Sequence, residues 1–545
     1  MSAPYGAPFA RDKWGSLPAR RCTDYSGKVM RENRVIWAGA ALFLAIGIVI
    51  RLWGIAGEPL WLDEAYSAYA ADHGFAFLWH VVPRYETHPP FYYSLLRLWT
   101  LLFGDGLIAL RALGGVAGLG TPFIAALAAQ EAARLLDWDA PRRRRLVFVA
   151  FALAWVAIPL VEMTRQVRPY PLMILVYAGA TALQLQLART RSIGGRSFVL
   201  YLLLVEAMLW LHNLGPLYAV ALTGALGCAL LRPGLGRRDW AWLIGGHLAV
   251  ALAYVPGLLI LLGQAPTWVS STWLRFGLSA LRDHLPMLYA APGLPVLAAL
   301  LLIGLALAAC WRSGPGRRAF SMLAVLALVP VLLSVLLSMT VAPVFITRTM
   351  APVAVPALIL CAIGAVAFAD VRRWLGLGCA FVLATNMLAV DVQARQGGPI
   401  QDWYPTVAWL KRNFRPGDQI FAYPNEGALP LAFALRDVGT PLPIRSIPAP
   451  VPSFDQPGGW YPTGSRGVVS LPRARLRAIA DEPQTRAVPT IWLLRLGATT
   501  YDPDDMFLAE LHRGRRIVAT WEDGPIDIIG LQRITPPPAP VRNPQ

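Results

Sequence analysis

The sequence is poor in charged residues. They make up 15% of its 545 positions, whereas hydrophobic residues make up 56%, and the mean hydropathy is +0.48. A typical soluble domain is about a quarter charged, so the composition excludes most soluble classes. Apolar runs of about 17–25 residues recur along the chain, and each is long enough to cross a bilayer. The sequence therefore predicts an all-α polytopic membrane protein.

Acidic residues are scarcer than basic ones, with 32 Asp and Glu against 49 Lys and Arg, which gives a net charge of +17. The arginines lie between apolar runs, as in Arg142–Arg145 and Arg372–Arg373. That pattern is typical of cytoplasmic loops rather than of a nucleic-acid-binding surface. We expect a multi-pass protein of the bacterial inner (plasma) membrane, with a cytoplasmic N-terminus and membrane lipids as neighbours.

Several other features are missing. Only five cysteines occur, and none lies in a predicted external loop, which argues against disulfides and against a cysteine metal site. No paired metal-ligand motif occurs, so we expect no cofactor and no obligatory metal. No cleavage signal follows the first apolar run, which favours a retained signal-anchor. An internal repeat of the kind found in many transporters is also absent.

The chain divides into three parts by composition. Residues 1–34 form a basic cytoplasmic N-terminus, residues 35–392 a transmembrane domain whose first external loop is 57–87, and residues 393–545 an external α/β domain with a proline-rich tail. Loop 57–87 is predicted outside and Arg142–Arg145 inside, so an odd number of crossings must separate them. Three short spans within 88–136 give 13 spans in total, and one span gives 11; we favour 13.

An acidic pair, Asp63-Glu64, lies in the first external loop, about ten residues beyond the end of the first span. Taken alone, such a pair is most simply a solvated helix turn. Its aromatic, interfacial surroundings favour another interpretation, because partial desolvation raises the pKa of a carboxylate and suits it to act as a base.

Basic side chains follow on the same predicted face. His88 precedes Pro90, a residue suited to begin a helix, and a helix N-terminus beside a histidine can hold an anion. Arg168 and Arg348 lie in external turns, although arginines favour the inside, and each can bind a phosphate or contact lipid headgroups. His212, at another external span end, is interpreted as a helix cap.

These motifs together resemble those of a known group, the bacterial GT-C glycosyltransferases of family 39, which includes protein O-mannosyltransferases and the lipid A aminoarabinose transferase. The resemblance covers about residues 35–420. It rests on Leu62-Asp63-Glu64-Ala65, Thr87-His88-Pro89-Pro90-Phe91-Tyr92-Tyr93, Leu102-Phe103-Gly104-Asp105 with Arg111, Arg168-Pro169-Tyr170 and Thr347-Arg348-Thr349-Met350-Ala351-Pro352. The last segment is similar to an Arg-Tyr-Leu-x-Pro segment of the family, with Thr349-Met350 in place of Tyr-Leu.

The resemblance implies an inverting transfer of a sugar from a polyprenyl-phosphate donor to an acceptor hydroxyl at the external face. It implies that Asp63 is the catalytic base. Glu64 matches the second acidic residue of the family's pair, and we expect it to be a catalytic residue too, one that orients the acceptor or holds Asp63 in place. The donor phosphate would contact His88, Arg168, Tyr170 and Arg348. His88 stands where the aminoarabinose transferases have a lysine, which argues against that particular reaction. The acceptor, whether lipid, glycan or protein, stays open.

Two other classes remain as alternatives. A lipid or polysaccharide transporter requires charged residues along a path at mid-membrane, and Glu206 is the clearest mid-span charge. A lipid-linked polysaccharide polymerase or ligase also uses polyprenyl carriers, but its donor is a pyrophosphate. Release of free polyprenyl phosphate from a monophosphate donor separates these classes from the proposed transferase.

Overall fold

The computed structural model describes residues 19–86, 88–230, 235–271, 276–453, 471–502 and 504–534. Thr87 and the proline-rich tail lie outside these ranges. The membrane part consists of helices α1 (Ala19–Leu52), α2 (Leu62–Asp72), α3 (Phe75–His80), α4 (Pro90–Phe103), α5 (Leu107–Leu135), α6 (Ala140–Trp155), α7 (Ile158–Thr164), α8 (Tyr170–Thr190), α9 (Arg196–Leu211), α10 (Gly215–Leu230), α11 (Arg237–Ala253), α12 (Val255–Ser271), α13 (Leu278–Leu288), α14 (Pro295–Trp311), α15 (Gly314–Thr340), α16 (Thr347–Met350), α17 (Ala354–Val371) and α18 (Arg373–Gln396).

Six helices within these ranges are long and apolar enough to cross a membrane, and the number rises to eight if each of two bent pairs counts as one span. The bent pairs are α6 with α7, at 52°, and α11 with α12, at 51°. Two shorter apolar helices, α10 and α14, accompany them. The prediction of an all-α polytopic membrane protein is confirmed.

The region between residues 88 and 136 differs from its prediction. It contains two helices, α4 and α5, instead of three short spans, and only α5 is long enough to cross. Helix α5 runs through Pro122 without a break, because a proline inside a membrane helix can be accommodated by neighbouring helices. One span in this region instead of three reduces the predicted total from 13 spans to 11, and 11 is the count that we retain as a prediction.

Ion pairs gather at one end of the bundle, away from the acidic pair. Arg145 contacts Glu32, which precedes the first apolar run, at 2.8 Å, and Arg142 contacts Asp370 at the end of α17 at 2.9 Å. These residues belong to segments that were all predicted to lie in the cytoplasm. Their direct contacts agree with a common face for the basic loops.

The C-terminal part is an α/β unit. Its elements are α19 (Trp403–Asn413), β1 (Gln419–Ala422), α20 (Ala428–Asp437), β2 (Ile444–Ser446), α21 (Arg473–Asp481), α22 (Pro483–Ala487), β3 (Thr490–Leu496), α23 (Ala498–Tyr501), α24 (Met506–His512), β4 (Arg515–Asp523) and β5 (Ile526–Arg533). The strand order is β2-β1-β3-β5-β4. The first three strands pair in parallel, and β5 pairs antiparallel to both β3 and β4. The predicted C-terminal α/β fold is confirmed.

The α/β unit packs on α2, the helix that carries the acidic pair. The Gln401 side chain accepts a hydrogen bond from the Leu62 N–H at 3.0 Å, and Leu62 packs against the apolar cluster around Trp403 and Leu431. Arg436 at the end of α20 contacts Asp105 at 2.9 Å. Helix α2, in the segment predicted to be the first external loop, therefore lies between the helical bundle and the C-terminal unit.

Candidate active site

Helix α2 presents Asp63 and Glu64 in its first turn. Carboxylates are favourable there because the exposed N–H groups of a helix start carry partial positive charge. Successive residues of a helix point about 100° apart, so the two carboxylates face different neighbours. Both are buried, with relative exposures of 7% and 2%.

Glu64 is held by protein groups on two sides. Its Oε2 pairs with Arg111 Nη2 of α5 at 3.0 Å, and its Oε1 accepts the backbone N–H of Val167 at 3.0 Å. Arg111 is 3% exposed and also donates to the carbonyls of Ile55, Glu58 and Pro59. Glu64 thus ties α2 to α5 and to the 165–169 turn.

Small residues on α5 allow this turn to come close. A Cβ on Gly114 would lie 3.0 Å from the carbonyl oxygens of both Thr164 and Gln166, and a Cβ on Gly118 would collide with the Thr164 side chain. The turn that carries Arg168 therefore packs directly on the α5 backbone. This close packing brings the Val167 N–H within reach of Glu64.

Asp63 faces an arginine that is only partly buried. Its Oδ2 lies 3.1 Å from Arg348 Nη2, and the Arg348 side chain is 28% exposed. The Arg348 guanidinium also lies over the Trp61 ring, 5.3 Å from the centroid. Two positions 285 residues apart in the sequence therefore meet, with the carboxylate of Asp63 next to a solvent-accessible cation.

Arg168 also contacts Asp63, at the backbone. It is 2% exposed, and its Nη1 donates to the backbone carbonyl of Asp63 at 3.1 Å. Burial opposes its charge, but the carboxylates of Asp63 and Glu86 and nearby tyrosines raise its pKa above the usual value. Arg168 is thus a fixed positive charge beside the acidic pair.

His88 belongs to a short chain of side chains next to Arg168. Its Nδ1 lies 2.9 Å from Glu86 Oε1, and its Nε2 lies 3.1 Å from His212 Nε2. The Nδ1 of His212 accepts the Leu214 backbone N–H at 3.0 Å. The predicted helix start at Pro90 is confirmed, because α4 begins there.

These contacts determine where the protons lie. Burial lowers the pKa of His212 well below its usual range, and the positive charges of Arg168 and Arg348 lower it further, so the ring is neutral. A neutral ring that accepts at Nδ1 carries its proton on Nε2. His212 therefore donates to His88 Nε2, and His88 donates from Nδ1 to Glu86.

Arg168 lies against the ring of His88. Its Nη2 is 3.3 Å from His88 Nε2 and 3.4 Å from Nδ1. An in-plane position so close to both nitrogens would collide with the carbon between them, so the guanidinium lies over the ring face. Tyr170 is also buried, and its ring centroid lies 6.0 Å from the Arg168 guanidinium carbon and 5.8 Å from the centroid of the His212 ring.

The structure therefore brings all six predicted site residues, Asp63, Glu64, His88, Arg168, Tyr170 and Arg348, to one region. Three further members, Glu86, Arg111 and His212, were not predicted as site residues. His212 does act as the predicted cap, through Nδ1. Its second contact carried no sequence signal, because it depends on how α9 meets α4. Within the described residues, no group of three or more His, Cys, Asp or Glu side chains is arranged to hold a metal ion.

Comparison with solved structures identifies the architecture. ArnT from Cupriavidus metallidurans in the apo state superposes with a TM-score of 0.58 at 15% identity, covering 90% of this chain and 97% of that chain. The chain has the GT-C fold. The same ArnT bound to undecaprenyl phosphate gives a TM-score of 0.52 over the same shares of the two chains. The Archaeoglobus fulgidus oligosaccharyltransferase tethered with an acceptor peptide gives 0.50 at 11% identity, covering 92% of this chain and 74% of that chain.

No family model and no curated protein sequence matches the chain. The GT-C fold is therefore shown by three-dimensional similarity. In this fold, Asp63 lies on α2, the helix on which the C-terminal unit packs, and its partner Arg348 is partly exposed.

Proposed function

We propose that the chain is a membrane glycosyltransferase that moves a sugar from a polyprenyl monophosphate to an acceptor hydroxyl. The observation that carries this proposal is the contact between Asp63 and the partly exposed Arg348, with Arg168 fixed beside them. A base and two cations at one point suit a reaction that removes a proton and releases a phosphate. The GT-C fold, shared with an ArnT that binds undecaprenyl phosphate, supports the donor class.

In the proposed reaction, Asp63 takes the proton of the acceptor hydroxyl while its oxygen attacks the anomeric carbon. The bond between that carbon and the phosphate oxygen breaks, its electron pair stays on the phosphate, and the configuration inverts. No general acid is needed, because Arg348 and Arg168 stabilise the developing charge in a preorganised field. Arg348 has a second role: when it turns to the donor phosphate, Asp63 loses its ion pair and becomes a stronger base.

His88 acts indirectly in this scheme. Both of its nitrogens are engaged, with Glu86 and with His212, and its ring face supports the guanidinium of Arg168. Tyr170 lies beside the same group. We assign both residues to the donor-phosphate region as supports of Arg168. The proposal includes the bacterial inner membrane as the location, the external face as the side of the site, and a lipid, glycan or protein as the acceptor.

The test uses purified full-length protein in lipid nanodiscs, given polyprenyl monophosphate sugars and a membrane extract as the source of acceptor. We expect free polyprenyl phosphate and a product of inverted anomeric configuration. Asp63→Asn should release it about 10²–10⁴-fold more slowly, whereas Asp72→Asn, the same change at an exposed position at the end of α2, should match wild type. Transport of the donor across a vesicle bilayer without release would contradict the proposal, and so would turnover of pyrophosphate donors alone.

A further inference from the structure

A cavity of about 250 Å³ opens beside the first turn of α2. It borders Trp61, the end of α18 and the link to the C-terminal unit. Six charged side chains line it: Glu58, Glu64, Glu162, Arg111, Arg165 and Arg395. None of the reaction steps described above uses this space.

Four of these six groups are already paired with each other. Glu64 pairs with Arg111 at 3.0 Å, and Glu58 pairs with Arg165 at 2.7 Å. These pairs form the rigid part of the wall, since Arg111 and Arg165 are both nearly buried.

The other two groups, Glu162 of α7 and Arg395 of α18, are different. Both are partly buried, and neither makes a hydrogen bond or an ion pair with any residue in the described ranges. Their charges influence each other only at a distance. A carboxylate and a guanidinium without partners, both at the wall of one cavity, are free to bind a ligand.

The lining specifies the charge of that ligand. Three carboxylates and three guanidinium groups balance, so an anion would meet three negative groups and a cation three positive ones. An uncharged molecule rich in hydroxyl groups suits both sets, because a hydroxyl donates to a carboxylate and accepts from a guanidinium. Trp61 adds an apolar ring face, and the volume is below the roughly 300–1,000 Å³ of pockets for drug-sized ligands.

We propose that this cavity is the subsite for one uncharged sugar ring, with Glu162 and Arg395 as its recognition groups. The inference rests on the proposed transferase function. Trp61 links the two regions, because it lines the cavity and its ring lies against Arg348, the partner of Asp63. The ring is either the sugar of the donor or a sugar of the acceptor.

The experiment compares purified full-length wild type with Glu162→Gln and Arg395→Gln. Each protein receives polyprenyl monophosphates that carry a neutral hexose, an amino sugar or a uronic acid. We expect wild type to prefer the neutral sugar and each variant to raise its KM at least tenfold, as loss of a hydrogen bond to a charged group implies. Glu522→Gln and Arg282→Gln, at exposed positions, are the matched controls.

A change of preference separates recognition from a merely structural role. Arg395→Gln leaves the cavity with one excess negative charge and should improve the relative use of the amino sugar. Glu162→Gln leaves one excess positive charge and should favour the uronic acid. A raised donor KM identifies the sugar of the donor, and a raised acceptor KM at constant donor KM identifies that of the acceptor.

Two outcomes of the kinetic experiment would contradict the subsite. One is variants whose KM values and sugar preferences equal those of wild type, and the other is a wild type that prefers a charged sugar. Saturation-transfer NMR with a neutral methyl hexoside, without any turnover, gives a separate measurement. Signal transfer in wild type that is lost in both variants supports the subsite even if no polyprenyl phosphate is released. Equal transfer in all three proteins, or none in wild type, contradicts it.

Discussion

Asp63 and Glu64 are neighbours in one helical turn, and their surroundings predict opposite effects of the same isosteric change. Asp63→Asn removes one partner of an ion pair whose arginine, Arg348, is 28% exposed. Water can replace the Arg348 contact, and the change keeps the Asp63 backbone carbonyl that accepts from Arg168. The free energy of unfolding should therefore fall by less than the about 3–5 kcal/mol that breaking a fully buried pair costs. Loss of a general base should lower the transfer rate by about 10²–10⁴-fold.

Glu64→Gln acts on a pair that water does not reach, because Glu64 is 2% and Arg111 3% exposed. The glutamine oxygen can still accept from Val167, but its amide group then points donors at the guanidinium. An uncompensated buried charge of this kind costs about 3–5 kcal/mol. The variant should therefore lose stability, while molecules that stay folded keep much of their activity.

The assay measures the two properties separately in one preparation. Denaturant unfolding followed by tryptophan fluorescence gives the stability, and release of polyprenyl phosphate per folded molecule gives the activity. Stable, inactive Asp63→Asn together with unstable, partly active Glu64→Gln supports the assignment. Asp63→Asn within threefold of wild-type activity would refute Asp63 as the base, and Glu64→Gln as stable as wild type would refute the structural role of the Arg111 pair.

Three further predictions concern single residues. Arg348→Ala should lower kcat by about 10²–10³-fold, as loss of one preorganised charge does, whereas the exposed control Arg282→Ala should leave kcat unchanged. A kcat of Arg348→Ala equal to that of wild type would exclude Arg348 from the reaction. His212 is held neutral by its lowered pKa, so transfer should show no acid limb near pH 6.5; a limb there that disappears in His212→Asn would contradict this. Hydrogen bonds from Arg477, Arg473 and Arg513 lower the pKa of Glu510 to about 2. Its carboxylate therefore stabilises the folded C-terminal unit at pH values above its unfolded pKa, and this contribution is lost as the pH falls toward 2. On acidification Glu510→Gln should unfold at a higher pH than wild type, and identical acid unfolding curves would contradict the prediction.

Much of the architecture follows from the sequence because bilayer thickness imposes a length on apolar helices. The strands beginning at Gln419, Thr490 and Ile526 were also predictable, since their apolar residues form compact runs. Strand β2 could not be predicted in the same way, because its three residues, Ile444–Ser446, are too few to show any alternation. The count of spans failed at α5, where Pro122 and several glycines suggested breaks and the packing of neighbouring helices preserves a continuous helix.

The region of the site was predictable for a different reason. Each crossing reverses the face of the membrane, so charges at Asp63, His88, Arg168 and Arg348 could be assigned to one face by counting apolar runs. That argument restricts where a residue lies without stating what it contacts. It therefore placed the two acidic residues together and could not tell which of them has a fully buried partner and which a partly exposed one.

The distinction between them depends on rotation about the axis of α2, which no sequence pattern records. A turn of about 100° per residue directs Glu64 to α5 and the 165–169 turn, where glycines allow close packing, and directs Asp63 to Arg348. The residue in the tighter environment is thus fixed by protein donors on both oxygens. Asp63, in contrast, pairs with a cation that solvent can reach, since the Arg348 side chain is 28% exposed. A reactive group must be able to change partners, and of the two only Asp63 has a partner that is free to leave.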